Sequence, residues 1–161
     1  MVSTSRSRKL MTFQVAGEWY ALPMAAVLKV VNCPSPSQGG MVQLGVVQLG
    51  SHMIQLLDLY RKFGLAPDAP VPAAASFLLV LYTDSDQLWG IALDTPPDLL
   101  EVPAKAIKPI TPGAGFVAQN YWISDLVVDD SGQAERTLML LDWQSAIAIA
   151  DSSSTGQERA A

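Results

Sequence analysis

Hydrophobic residues in this chain recur mostly with a period of two, in runs too short for helices. "FQVAGEWYAL", Phe13 to Leu22, sets Gly17 between two runs rich in β-formers, which predicts a hairpin. "PMAAVLKVV" from Pro23 then predicts a single helical turn or an extended corner, before "NCPSPSQGG" breaks regularity. "MVQLGVVQL" alternates Val42, Leu44 and Val46 against small or polar residues, as a half-buried strand would, and Gly50-Ser51 turns the chain into "HMIQLLDLYRKF".

The period changes inside "IQLLDLYRKFG", Ile54 to Gly64, and changes again inside "LMLLDWQSAI", Leu138 to Ile147. Each has an apolar run, an Asp and then an amphipathic segment, the order of a strand running into a helix capped by Asp58 or Asp142. Lys62 in the last turn and Gly64 just beyond it suit a helix C-terminus. Two such units at matching places predict a duplicated fold. The second half repeats the first: "FLLVLYTDSDQLWGIALD" has the hairpin grammar, "PPDLLEV" stands where "PMAAVLKVV" stood, and "YWISDLVVDD" with "RTLMLLDW" follow as the later strands. The Pro- and Ala-rich "LAPDAPVPAAAS", Leu65 to Ser76, reads as a linker. The expected fold is mainly all-β: two small five-stranded barrels sharing one core, each with a short helix. The lobes span roughly 10–64 and 77–150, and the polar ends 1–9 and 151–161 are expected to be mobile tails.

Composition narrows the chemistry. Half of the 161 residues are apolar and 16% are charged, which suits a folded domain. A net charge of −5 with a pI near 4.6 lacks the overall basic footprint of a nucleic-acid binder. The apolar run Phe77–Tyr82 is far short of the roughly 20 residues needed to span a bilayer, and "LMTFQV" after the basic start is too short and polar for a signal-peptide core. A cytoplasmic protein without direct membrane insertion is expected. The lone Cys33 fits a reducing compartment and a packing role. With His52 as the one histidine, no multi-histidine metal site or His-rich acid–base network can be built. "GGMVQLG" lacks the Lys-Ser/Thr ending of a phosphate loop. Asp84 with Asp86 and Asp129 with Asp130 fall in expected hairpin turns, where Asp bonds its own backbone. No catalytic residue, metal or cofactor is expected.

The ordered set "FQVAGEWYALPMAAVLKVV", "GVVQLGSHMIQLLDLYRKFG", "WGIALDTPPDLLEVPAKAIKPI" and "LMLLDW", covering roughly Leu10 to Ala150, resembles the CheW family of coupling proteins of bacterial chemotaxis. The resemblance implies a single CheW-like domain of two SH3-like barrels, and a non-catalytic scaffold between a CheA-type histidine kinase, bound through its regulatory domain, and the cytoplasmic tip of a methyl-accepting receptor. It also implies a location at the inner face of the membrane through receptor complexes. Carried over by position, the receptor groove would hold Val27 and Val30, Gly45 and Leu99, with Lys29 as the tuning charge; a plain core role would account for each aliphatic equally well. Two positions depart from the family. Gly50-Ser51 stands where "RG" is usual, removing a fork of guanidinium donors, and Lys29 stands where an acidic residue is common. Both departures suit a pathway with altered partner charges, such as phototaxis or pilus-driven motility. Two rival classes stay open at this point: a small β-barrel enzyme holding a metal through Asp84 and Asp86, and a generic SH3-like peptide-binding module outside receptor arrays, which would line an exposed groove with aromatics such as Trp19, Trp89, Trp122 and Trp143.

Overall fold

The computed structural model describes residues 6–15, 17–42, 45–57, 59, 75–83, 87–110, 123–132, 134–145 and 147. Strands β1 (Ser7–Val15) and β2 (Glu18–Pro23) form the expected antiparallel hairpin, in register from Leu10 opposite Pro23 to Val15 opposite Glu18. Gly17, at φ 82°, supplies the left-handed residue of the turn. The remaining strands are β3 (Val27–Asn32), β4 (Val46–Leu49), β5 (His52–Leu56), β6 (Phe77–Leu81), β7 (Leu88–Leu93), β8 (Asp98–Pro103), β9 (Ile107–Pro109), β10 (Ile123–Asp129) and β11 (Arg136–Leu141).

They make two sheets and two barrel-like lobes, ordered β8-β1-β2-β11-β10-β9 and β3-β6-β7-β5-β4. We call them the first-hairpin lobe and the second-hairpin lobe. The equivalence of the halves is visible in this order. β3 borders β6 as β8 borders β1, and the parallel pair β5·β7 matches the parallel pair β2·β11. The expectation of one lobe per half is corrected, however. β1 and β2 pair with strands from the second half, while β6 and β7 pair with strands from the first, so each half lends its hairpin to the other's sheet. The first-hairpin sheet has six strands rather than five, because the chain leaves β8 through a 3₁₀ turn at Ala104–Ala106 and adds the three-residue β9 at the opposite edge. The expected tail at 1–9 is also too long: Ser7 to Lys9 already lie in β1, paired with Glu101 to Pro103 of β8.

The exchange explains why both lent hairpins are apolar on both faces. Alternate residues of a strand point to opposite sides. Leu10 and Ala21 enter the interior of the first-hairpin lobe with Val102, Val127, Leu138 and Leu140. Their neighbours Phe13, Tyr20 and Leu22 instead join Leu79, Leu81, Trp89 and Ile91 in a core between the lobes. On the second hairpin, Leu78 and Val80 fill the other barrel with Val42, Val47 and Ile54. The three cores are thus two barrel interiors and one interlobe seam, and the hairpins lie between them. Tyr20, stacked on Phe13 at 6.0 Å in the seam, has its phenol pushed up to about 12, first by burial and then by the nearby Glu18 charge.

Local rules account for the connections. Pro23-Met24-Ala25-Ala26-Val27 and Pro103-Ala104-Lys105-Ala106-Ile107 make the same single 3₁₀ turn: each begins at an extended Pro (ψ 140° and 147°) and closes with the Val27 or Ile107 N–H donating back to the Met24 or Ala104 carbonyl. Pro is suited to this start because its fixed φ matches the turn entry. Asp142 caps the segment entering a helical turn at Trp143, accepting from the Ser145 N–H at 3.3 Å and the Ser145 hydroxyl at 2.7 Å. Asp58 lies outside the described residues. The strand expected across Val42, Leu44 and Val46 starts only at Val46. Gly45, at φ 80°, ends a turn in which its N–H donates to the Val42 carbonyl, and this left-handed backbone cannot belong to a strand.

Candidate partner-binding surface

Strands β3 and β8 are edge strands, one in each sheet. Directly opposed residues of an antiparallel pair point to the same side. Val30 stands opposite Leu79, which is in the interlobe core, and Leu99 stands opposite Met11, which packs on that core. The neighbours confirm the phase: Val31 packs into one barrel interior and Leu100 into the other. Val30 and Leu99 therefore border the seam between the lobes, each on a different sheet. They are 38% and 55% exposed, so neither is a plain core residue.

Val27 shares that side although it is three residues from Val30, which a regular strand would forbid. A bulge between Val27 and Lys29 resets the alternation, so that Val27 faces Leu81 and Val30 faces Leu79. Val27 itself is half-buried against the interlobe core, and Lys29 and the bulged Leu28 are exposed. Gly45 lies away from these strands, in the turn before β4, where its carbonyl accepts from the Leu56 N–H. Its glycine is required by φ 80° and not by close approach of another group, since a Cβ there would meet nothing within 4 Å. Gly50, at φ 61°, occupies the two-residue hairpin loop between Leu49 and His52, braced by the Gln48 amide donating to its carbonyl. It too is explained by the turn. Sequence reasoning missed three exposed apolar side chains: Leu28, Met53 and Tyr82, at 38%, 55% and 52%. The bulge hid Leu28, and Met53 and Tyr82 stand next to the buried Ile54 and Leu81 in apolar runs.

The titratable groups have structural employment. Asp129 is buried at the end of β10, where one oxygen accepts from the Ser131 N–H (3.0 Å) and hydroxyl (2.6 Å), and the other from Arg136 Nε at 2.8 Å. Burial alone pushes its carboxyl up, but the Ser131 and Arg136 bonds outweigh it and hold the group below the usual carboxylate range. The Arg136 guanidinium lies 4.2 Å over the Trp19 ring, tying the β10–β11 hairpin to β2. His52 is exposed at the first position of β5. Burial pushes the Cys33 thiol up, opposed by a backbone bond from Ala75, and its side chain packs against a barrel core. Among the described residues no group of three His, Cys, Asp or Glu could hold a metal ion, and no helix is long and apolar enough to cross a membrane. Asp84 and Asp86, and with them the rival metal site, lie outside the described residues, as does Trp122. Trp89 is buried in the interlobe core, and Trp19 and Trp143 are half-buried against cores.

The fold is thus two paired barrel-like lobes that meet at an apolar-edged seam. The sequence matches the family model of the CheW-like domain over residues 9–150, and the chain belongs to that family. Its fold is similar to the crystal structure of the scaffolding protein TtCheW from Thermoanaerobacter tengcongensis, with a TM-score of 0.65, 18% identity and 88% of each chain covered. No curated protein matches the sequence.

Proposed function

We propose that this protein is a non-catalytic scaffold that couples a CheA-type histidine kinase, through its regulatory domain, to the cytoplasmic tip of a methyl-accepting receptor, and so works in the cytoplasm at the inner face of the membrane. Membership of the CheW-like family and the likeness to a scaffolding protein support the class of activity. The observation that carries the partner surface is the pair Val30 and Leu99: exposed aliphatics from two different edge strands that border one seam. Specific interfaces depend on a few apolar anchors that become buried, with charges choosing among partners. Val27 forms the floor of this surface, and Lys29 is its tuning charge. Gly45 and Gly50 act by shaping the β4 turns. Lys29 and Gly50-Ser51, which replace an acidic residue and an Arg-Gly, suit receptors of a chemotaxis, phototaxis or pilus-motility pathway with a matching charge change.

Capture of the cytoplasmic tip of a methyl-accepting receptor tests the reading. Val30→Asp and Leu99→Asp are the variants of choice, because both sites are exposed and a charge there should spare the fold. Each should weaken receptor capture by about tenfold or more, the effect of losing one desolvated anchor. Gly45→Asp is a poorer probe, because its left-handed backbone would add strain to any loss of binding. Full capture by a folded Val30→Asp, Leu99→Asp double variant would reject the seam as the receptor site.

A further inference from the structure

Both sheets of this protein are built from both halves of the chain. Among the described residues the first half holds three pieces, the β1–β2 hairpin, β3 and the β4–β5 hairpin, and none of them pairs with another. The second half likewise holds β6–β7, β8 and β9–β10–β11 as separate pieces. Four ladders join the pieces, β1·β8, β2·β11, β3·β6 and β5·β7, and each runs from one half to the other. The interlobe core is shared in the same way, with Phe13, Tyr20 and Leu22 from the first half against Leu79, Leu81 and Trp89 from the second.

A half therefore has no sheet of its own to fall back on and must take up a complementary half. The ladders and the core specify the sequence of that half, not the molecule it belongs to. Only the covalent crossing from Leu59 to Ala75 favours the chain's own. Fully extended, a stretch of that length reaches on the order of 50 Å, against a diameter of roughly 40 Å for a folded unit of this size. The crossing is long enough to pass from one complete two-lobed unit into another beside it.

We propose that two copies of this chain assemble by swapping halves, the first half of each completing the sheets of the second half of the other. Every ladder and core contact keeps its register in the swapped pair, so the two forms differ only in whether the crossing returns or goes on. Tethering gives a half an effective concentration of its own partner on the order of millimolar, so the swapped form gains as chains fold at concentrations approaching that. Once formed it is held, because release requires opening all four ladders. In the swapped pair each seam is edged by Val30 of one copy and Leu99 of the other, and one particle offers two seams. Its use as a bivalent receptor scaffold rests on the function proposed above, although the swap itself does not.

A disulfide across one ladder reads which chain supplies each half. Lys9 and Glu101 are directly opposed in β1·β8 and both are exposed. Because the Ala104 N–H donates to the Arg6 carbonyl, alternation makes Lys9 and Glu101 a non-hydrogen-bonded pair, with Cα atoms about 4.5 Å apart, within reach of a disulfide. Lys9→Cys with Glu101→Cys, in a Cys33→Ser background and checked by thermal melt, is refolded from urea at micromolar and at millimolar concentration, diluted, and only then mildly oxidised. On a non-reducing denaturing gel the millimolar sample should hold about tenfold more covalent dimer than the micromolar one, as mass action requires. Light scattering on the unsubstituted chain, refolded alike, should show a particle of twice the chain mass. Internally cross-linked monomer at both concentrations would overturn the proposal. So would a double-mass particle whose chains are each cross-linked internally, since that is association through an outer surface. Should the variant fail to fold, monomer mass for the unsubstituted chain at both concentrations decides against the swap. No receptor enters the experiment, so these failures leave the scaffold reading intact.

Discussion

Asp129 and Arg136 are the residues on which the β10–β11 hairpin has least to fall back. Asp129 is nearly inaccessible and its three bonds come from two partners, so its removal strands a half-buried guanidinium and two Ser131 donors. Asp129→Ala should lower stability by roughly 2–3 kcal/mol, the range for losing charged hydrogen bonds at a largely buried site, read as a lower urea midpoint. The pH dependence follows from the depressed carboxyl. Below about pH 4 the unfolded chain takes up the proton while the native chain resists it, so this contribution is complete above that pH and is lost as pH falls through the lower native value. Stability measured from neutral pH down to pH 2 should fall less steeply in Asp129→Asn than in wild type, and parallel curves would remove Asp129 from the acid response. The same arithmetic makes Arg136→Lys a poor replacement, because an ammonium cannot both bond Asp129 edge-on and lie flat over Trp19.

At the level of elements, turns and caps carry separable costs. Asp142→Ala should cost about 1 kcal/mol through loss of the cap on Ser145, seen as a lowered thermal midpoint with no change in sheet content. Gly90 and Gly45 offer a contrast. In β7 a Cβ on Gly90 would lie 3.0 Å from the Ile54 side chain, 3.1 Å from Leu78 and 3.2 Å from the Leu79 carbonyl, whereas on Gly45 it would meet open space. Gly90→Ala should cost roughly 1–3 kcal/mol by overpacking a barrel, and Gly45→Ala about 1 kcal/mol by backbone strain alone. Equal losses in urea unfolding would mean that the barrel around Gly90 can relax. Much of this level was legible in the sequence: Gly17 between β-formers marked a hairpin, and Asp142 before an amphipathic run marked a cap. The β4 start was misread because Val42, Leu44 and Val46 alternate correctly while Gly45 breaks the backbone between them. Val27, Val30 and Leu99 could be placed along one groove by resemblance, but the common side of Val27 and Val30 depends on the bulge at Leu28, which no periodicity announces.

For the whole molecule, the duplicated pattern showed two similar units but could not say which sheet each hairpin joins. Alternation records that both faces of β1 and β6 are apolar; it does not record what covers them. The exchange makes a division at the Leu65–Ser76 linker a strong test. Fragments 1–64 and 75–161 should each fail to melt cooperatively, since one lacks β6 and β7 and the other β1 and β2, and mixing them should restore a single transition. A cooperative melt of the first fragment alone would show that its hairpin has an alternative partner. The exchange also sets a timetable for synthesis. The sheet built on β6 and β7 has its last strand when residue 93 has been made, but the sheet built on β1 and β2 waits for β11 at residues 136–141. At roughly 5–20 residues per second that interval lasts on the order of ten seconds. Throughout it the barrel-facing side of that hairpin, with Leu10 and Ala21, waits uncovered on the nascent chain, and a chaperone that holds such ribbons would find its client there.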